Sequence, residues 1–133
     1  MANEAVIIEL FNGGRPIRFT VQDAVAIPKG SLLEMDADRR VIVATTDNAP
    51  FVGIAAHEKV ASDGSTTISA YTDGIFDILS DAGTDTRGAL MAVSAADNVI
   101  QTADAADLLQ GAYVGHYLES GTANGTEAVR VNR

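Results

Sequence analysis

Two histidines and a scattering of carboxylates are the residues that could carry chemistry in this sequence, so their spacing is the first question. His57 and His116 each follow a Val-Gly pair, Val52-Gly53 and Val114-Gly115, at near-equivalent places in the chain. A zinc-type site needs three or four nitrogen, sulfur or carboxylate ligands at close spacing. Neither histidine has such neighbours, and both read as strand-end residues. Asp36-x-Asp38 matches the first two positions of a calcium loop but lacks the following glycine and the distal glutamate. A hairpin turn with solvated carboxylates explains it better. Asp73 and Asp77 can share one face of a strand, without any sequence sign that they are buried. No Ser-x-x-Lys, Gly-x-Ser-x-Gly or phosphate-cradling glycine loop with lysine occurs. The absence of cysteine removes thiolate chemistry and disulfides. Asn124-Gly-Thr126 has the glycosylation pattern, but it also fits a tight Asn-Gly turn. The expectation is a protein with no catalytic, cofactor or metal residues, whose work is binding.

The elements that position these residues are short. Val6 to Phe11 and Ile17 to Val21 are β-branched runs around Asn12-Gly13, which predicts an opening hairpin. Pro28-Lys29-Gly30 is a turn, followed by strands over Ser31 to Met35 and Arg40 to Thr45 around Asp36 to Arg39. Further strands are expected over Phe51 to Ala56, Thr66 to Thr72, Ile75 to Leu79, Leu90 to Val93, Val99 to Thr102, Ala112 to Glu119 and Glu127 to Val131. Asp73-Gly74 reads as a turn, and Ser120 to Gly125 as the loop of a closing hairpin. Ala103 to Leu109 is the one place where a helical turn fits. Turn chemistry every eight to twelve residues points to a sandwich or barrel.

Two stretches echo each other. Lys29-Gly30-Ser-Leu32, Ala37, Val41-Ile42 and Pro50-Phe51-Val52-Gly53 are answered by Arg87-Gly88-Ala-Leu90, Ala95, Val99-Ile100 and Ala112-Tyr113-Val114-Gly115. The offset is 58 residues from Gly30 through Ile42 and 62 at the closing glycines, so the second copy carries four extra residues, assigned to Thr102 to Gly111. Gly30, Gly53, Gly74, Gly88 and Gly115 are taken as structural turn or close-approach positions. The fold expected is mostly β: a small single-domain β-barrel or tulip-like fold with two pseudo-repeated halves and at most one short helix. Residues 1–23 form an N-terminal hairpin or arm, and 24–131 the core of a single domain spanning 1–133.

Composition limits the partners. The 133 residues carry a formal charge of −9, and lysine occurs only at Lys29 and Lys59. Such a chain repels phosphate, so neither nucleic acid nor an anionic membrane is an expected partner. Hydrophobic residues reach 47% but aromatics only 5%, which predicts a core of small aliphatics. A core of that kind often gains stability from association. Met1-Ala-Asn-Glu has no basic n-region and no long apolar stretch after it, so neither a signal peptide nor a membrane helix is expected.

Taken in order, Ile27-Pro-Lys-Gly-Ser-Leu-Leu33, Phe51-Val-Gly-Ile-Ala55, Ala70-Tyr-Thr-Asp-Gly-Ile-Phe-Asp77, Gly88-Ala-Leu-Met-Ala-Val93, Tyr113-Val-Gly115 and Ala128-Val-Arg-Val131 resemble the capsid cement, or head-decoration, proteins of tailed viruses such as bacteriophages. The likeness runs from Ala24 to Val131. The second Val-Gly departs from it, being followed by His116-Tyr117 where the family often has alanine, and Val6 to Val21 has no match in it. The resemblance implies a protein made in the host cytoplasm that joins the virion exterior. Its partners would be the major capsid protein, whose subunits it bridges, and itself, commonly as a homotrimer. A strand near one terminus could pair with an exposed capsid strand, and Val6, Ile7, Ile8, Leu10 and Phe11 are the candidate docking residues. The loop from Ser80 to Arg87 is the candidate for neighbour contacts. Two other readings stay open: another virion component (tail, baseplate or head fibre), and a small β-barrel binding module.

Overall fold

The computed structural model describes residues 3–11, 15–47, 49–80, 87–94, 98–119 and 125–132. Its strands are β1 (Val6–Glu9), β2 (Ile17–Thr20), β3 (Leu32–Ala37), β4 (Arg40–Val43), β5 (Phe51–Ala55), β6 (Thr67–Tyr71), β7 (Asp73–Ser80), β8 (Leu90–Val93), β9 (Val99–Thr102), β10 (Tyr113–Tyr117) and β11 (Thr126–Asn132). One short helix, α1 (Ala105–Gln110), falls where the sequence admits one. Asp104 caps it: its carboxylate accepts the Asp107 N–H at 3.0 Å, while the Asp107 carboxylate accepts the Asp104 N–H at 2.9 Å. That reciprocal box satisfies two donors that a helix start otherwise leaves open.

The strands form two closed barrels in tandem. β2-β4-β3-β5-β6 closes the first. β7-β11-β10-β8-β9 closes the second through a β7–β9 pairing, and β1 is added to β7. Every pairing of the first ring recurs in the second. The one parallel contact in each links Thr20 to Arg40 and Leu79 to Val99. Loop hydrogen bonds repeat too: Met35 N–H to Pro50 O is answered by Val93 N–H to Ala112 O, and Gly30 N–H to Ala55 O by Gly88 N–H to Tyr117 O. The repeat thus spans five strands per copy, beyond the three segments read from sequence.

The closing motif of each copy explains how so short a chain curls into a barrel. Leu33 faces Gly53 and Glu34 faces Phe51, so Val52 is an extra, bulged residue. Met91 faces Gly115 and Ala92 faces Tyr113, which makes Val114 its counterpart. A bulge increases local twist and bends the strand. The glycine beside it lets the next strand come close: a Cβ on Gly53 would lie 2.7 Å from Tyr71 O, and one on Gly115 would run into Arg130 O. Aromatic-Val-Gly is therefore a barrel corner, used twice.

Several expectations change. Val6 to Val21 is not a hairpin: β1 pairs with β7 of the second barrel, and β2 with β6 and β4 of the first. Asn12 and Gly13 lie outside the described residues; the strands on either side of them pair non-locally, and β2 belongs to the first barrel rather than to an arm. Gly30 and Gly88 do sit in turns with positive φ, but Gly53, Gly74 and Gly115 lie within strands β5, β7 and β10. Asp73-Gly74 is not a turn either. Thr72 alone separates β6 from β7, and there the chain passes from one barrel to the other. The offset also rises sooner than the sequence suggests. Arg39 and Asn98 both hold the φ of 57° in the β3–β4 and β8–β9 turns, which places one extra residue there and three near α1.

Packing joins the barrels. Val21, Ile27, Leu33, Val41, Val43, Ala55, Ile68 and Ala70 cluster within the first barrel. A second cluster takes Phe76, Ile78, Met91, Ile100, Val114 and Val129 from the second barrel, with Leu32, Ala44, Phe51 and Ile54 from the first. The alternation of β3 divides the labour, Leu33 going to one cluster and Leu32 to the other. Each large aliphatic or aromatic side chain buried this way contributes about 1.5–3 kcal/mol. Polar ties cross the same junction. The Leu32 N–H donates to the Asn98 side chain at 2.9 Å, and the Phe51 N–H donates to Gly111 O at 2.9 Å.

Candidate partner-binding surface

The candidate docking residues fall on and just after β1, and the structure divides them. Val6 to Ile8 form an extended strand because three consecutive β-branched side chains favour it. One edge is paired, Val6 with Asp77, Ile7 with Phe76 and Glu9 with Ile75, so Ile8 is a bulged residue. Ile7 and Leu10 pack against the joint core. Phe11 lies under the Arg130 guanidinium, 4.7 Å from ring centroid to cation, and Arg130 also pairs with Asp73 at 3.2 Å. A cation over an aromatic face is worth about 0.5–1 kcal/mol at an exposed site. Val6 and Ile8 remain outward, 61% and 50% exposed. Of the five candidates, two are open to a partner and three hold β1 to its own barrel.

Among the described strands β1 pairs with β7 alone, so its other edge is joined to no described strand. It is four residues long and broken by the Ile8 bulge. Short length and bulges are how natural edges discourage indiscriminate strand addition. A strand added at this edge would meet the exposed Val6 and Ile8 side chains as well as the backbone. Just before β1 the Ala5 N–H donates to Gly30 O at 2.7 Å. There the chain walls a groove of about 500 Å³ lined by Ala5, Ile7, Ile54 and Tyr71, with Glu4 and Lys29 also on its walls. The N-terminal segment thus touches both barrels.

The residues weighed for chemistry are scattered. His57 follows β5 in the first barrel, where its Nε2 lies 3.4 Å from the Ser69 N–H, and His116 is within β10 of the second. Asp36 is engaged by Arg40 through two hydrogen bonds of 3.0 Å, which hold the guanidinium pKa above its ordinary value. Asp73 is taken by Arg130. Among the described residues no group of three His, Cys, Asp or Glu is placed to hold a metal ion. Asn124 and residues 81–86 lie outside the described residues, and with them the glycosylation pattern and most of the Ser80 to Arg87 loop.

Two polar devices escape the sequence reading. Lys59 is buried, and its ammonium donates to Asp23 O at 2.8 Å, Val60 O at 3.1 Å and Asp63 Oδ1 at 3.2 Å. Three acceptors match its three protons and clamp the loops at either end of the Ile27–Lys59 bridge. The Ser65 N–H, then Lys59, hold the Asp63 carboxyl below its ordinary pKa. Asp107 is the opposite case, its carboxyl pushed up by burial and by the negative charges of Asp104 and Asp47. The scarcity of lysine was the available hint for the first, and the Asp104-x-x-Asp107 spacing for the second.

Compared with known proteins, the chain matches no protein-family model and no curated protein.

Proposed function

We propose that this chain is a capsid decoration protein, binding the outer surface of an icosahedral viral head and bridging major capsid protein subunits. The structural observation that supports the reading is the β1 edge: a strand pinned to a closed barrel on one side, with Val6 and Ile8 facing out on the other. Strand addition there would gain main-chain hydrogen bonds with little demand on sequence, and the two side chains would set the register. The ordered likeness from Ala24 to Val131 suggests the identity of the partner. Two barrels sharing a core, rather than one with a flexible arm, suit a mechanical role, because a bridging clip must resist load. Modest contacts repeated over a symmetric shell then give firm net attachment if the protein acts as a homotrimer.

Substitution of the outward Ile8 tests the reading. Ile8→Asp places a charge at the docking edge without touching the core, so the protein should stay folded, with a melting temperature near that of the parent. Its occupancy on expanded, undecorated heads should fall at least tenfold in a co-sedimentation assay. Equal occupancy of parent and variant would remove β1 from the docking surface. Failure of the parent to bind any head conformation would overturn the proposal.

A further inference from the structure

We propose that the edge of β2 at Ile17 and Arg18 binds an extended, carboxylate-bearing segment of another protein, added to the first barrel as β1 is added to the second. The repeat supplies the argument. Arg18 stands opposite Ser69 and Thr20 opposite Arg40, as Asp77 stands opposite Ala128 and Leu79 opposite Val99. Arg18 is therefore the counterpart of Asp77, and Ile17 of Phe76. In the second barrel this edge is filled, Val6 pairing with Asp77 and Ile7 with Phe76. In the first, β2 meets β4 only at Thr20, and its edge from Ile17 to Phe19 is joined to no described strand. The Thr20 N–H is turned to the β4 side, donating to Arg39 O at 2.8 Å. Alternation along the strand turns the Arg18 N–H to the same edge.

The side chains around the edge define the chemistry of the added strand. Phe19 packs toward the core of the first barrel, so Arg18 and Thr20 point outward. A residue opposite Arg18 would share its outer face, as Val6 shares that of Asp77, and a carboxylate there makes a cross-strand ion pair. The residue opposite Ile17 would face inward, as Ile7 does. Ile17 is 48% exposed where Phe76 is fully buried, so an apolar side chain is wanted to cover it. Ile17 and Phe19 line an open recess of about 430 Å³ that has room for one. Charge selects the same partner. Arg15, Arg18 and Arg39 are exposed, and none of them forms an ion pair among the described residues. β2 and β6 contain no carboxylate, and Asp36 in the adjoining turn is held by Arg40, which leaves Asp38 against three guanidinium groups. The second barrel has Asp77 and Asn98 in place of Arg18 and Arg39. In a chain of net −9, an acidic strand is therefore drawn to this edge and repelled by most of the remaining surface.

The proposal does not depend on the capsid reading, because it concerns an edge other than β1 and is tested on the free protein. The probe is a synthetic peptide of alternating valine and glutamate, titrated at low salt into the isotope-labelled chain and followed by amide NMR shifts. Saturable shifts are expected at Ile17 to Thr20 and at Arg39, with a Kd of roughly 1 mM or tighter. Arg18→Asp installs the charge that the second barrel carries at this place and should weaken binding by roughly tenfold or more. Arg39→Asn, the residue that the second barrel uses in the same turn conformation, should weaken it by a smaller factor. Both side chains are exposed, so both variants should keep the parent's melting temperature. The same peptide with lysine in place of glutamate should not bind. Absence of shifts at about 5 mM peptide would overturn the proposal, since even a weak strand addition is populated there. Equal binding by the lysine peptide or by Arg18→Asp would overturn it too, and so would shifts centred on β1 instead of β2.

Discussion

The two barrels have the same strand order and the same bulge-and-glycine corners, yet they meet their surroundings differently. Phe51 is buried in the joint core, whereas Tyr113, its counterpart, is half-buried. Gly30 is covered by the N-terminal segment, where Ala5 O would lie 2.6 Å from an added Cβ, whereas no atom of the described residues approaches the same point on Gly88 within 4 Å. The first barrel has its Asp23 and Val60–Asp63 loops pinned by the buried Lys59; the second carries the capped helix α1 between β9 and β10. Features held in common specify the fold, and features found in one copy alone mark where the chain meets its neighbours or partners. By that criterion β1 is the place to look for the proposed docking, and the repeated Val-Gly corners are not.

Substitutions at paired positions would break or sharpen this contrast. The largest effect is expected at the corners. Gly115→Ala drives a methyl group into the Arg130 backbone and should cost more than about 4 kcal/mol in urea unfolding, or prevent folding. Gly53→Ala should cost less, since its clash with Tyr71 O at 2.7 Å is milder. Next comes the joint core: Phe51→Ala should cost about 3–5 kcal/mol, the range for a buried aromatic, and Tyr113→Ala less than half of that. Equal losses would mean that the two positions are equally buried in solution. Lys59→Met should then cost roughly 2 kcal/mol, because the part-buried Asp23 and Val60 carbonyls lose their donor although the apolar stem is retained.

The smallest effects are in pH dependence, and the barrels should differ in sign. Asp63, in the first, has its carboxyl held down by Ser65 N–H and Lys59. It adds stability above its unfolded value that is lost as pH falls through its folded one. Asp63→Asn should therefore lower the melting temperature at neutral pH, with the difference vanishing in acid. Asp107, in the second, has its carboxyl raised by burial, so ionising it costs the folded state more than the unfolded one. Asp107→Asn should raise the melting temperature at neutral pH, and that gain should also disappear in acid, where the parent carboxyl is protonated. Melting curves of both variants across the carboxylate range would check the two signs.

Much of the secondary structure was legible in the sequence because turns announce themselves locally. Asp36 to Arg39 and the stretch ending at Asn98 bracket hairpins that form as expected, and Leu90 to Val93 and Val99 to Thr102 match β8 and β9 to the residue. What could not be read is which strands pair across long separations. Asn12-Gly13 signals a hairpin, but nothing local says that β1 belongs to the second barrel and β2 to the first. The passage between barrels is hidden for the same reason, since Thr72 is an ordinary strand residue. The sequence reading took Val6, Ile7, Ile8, Leu10 and Phe11 together as docking candidates, whereas in the fold Val6 and Ile8 face out and Ile7 packs inward. The inward role of Leu10 and the seat of Phe11 on Arg130 depend on β7 and β11, far along the chain.

Co-sedimentation of the purified protein with expanded, undecorated heads is the most direct test of the capsid proposal. The account predicts saturable binding at a fixed number of copies per shell, a higher melting temperature for decorated heads, and loss of both with Ile8→Asp. Protein that stays in the supernatant with every head conformation would contradict it.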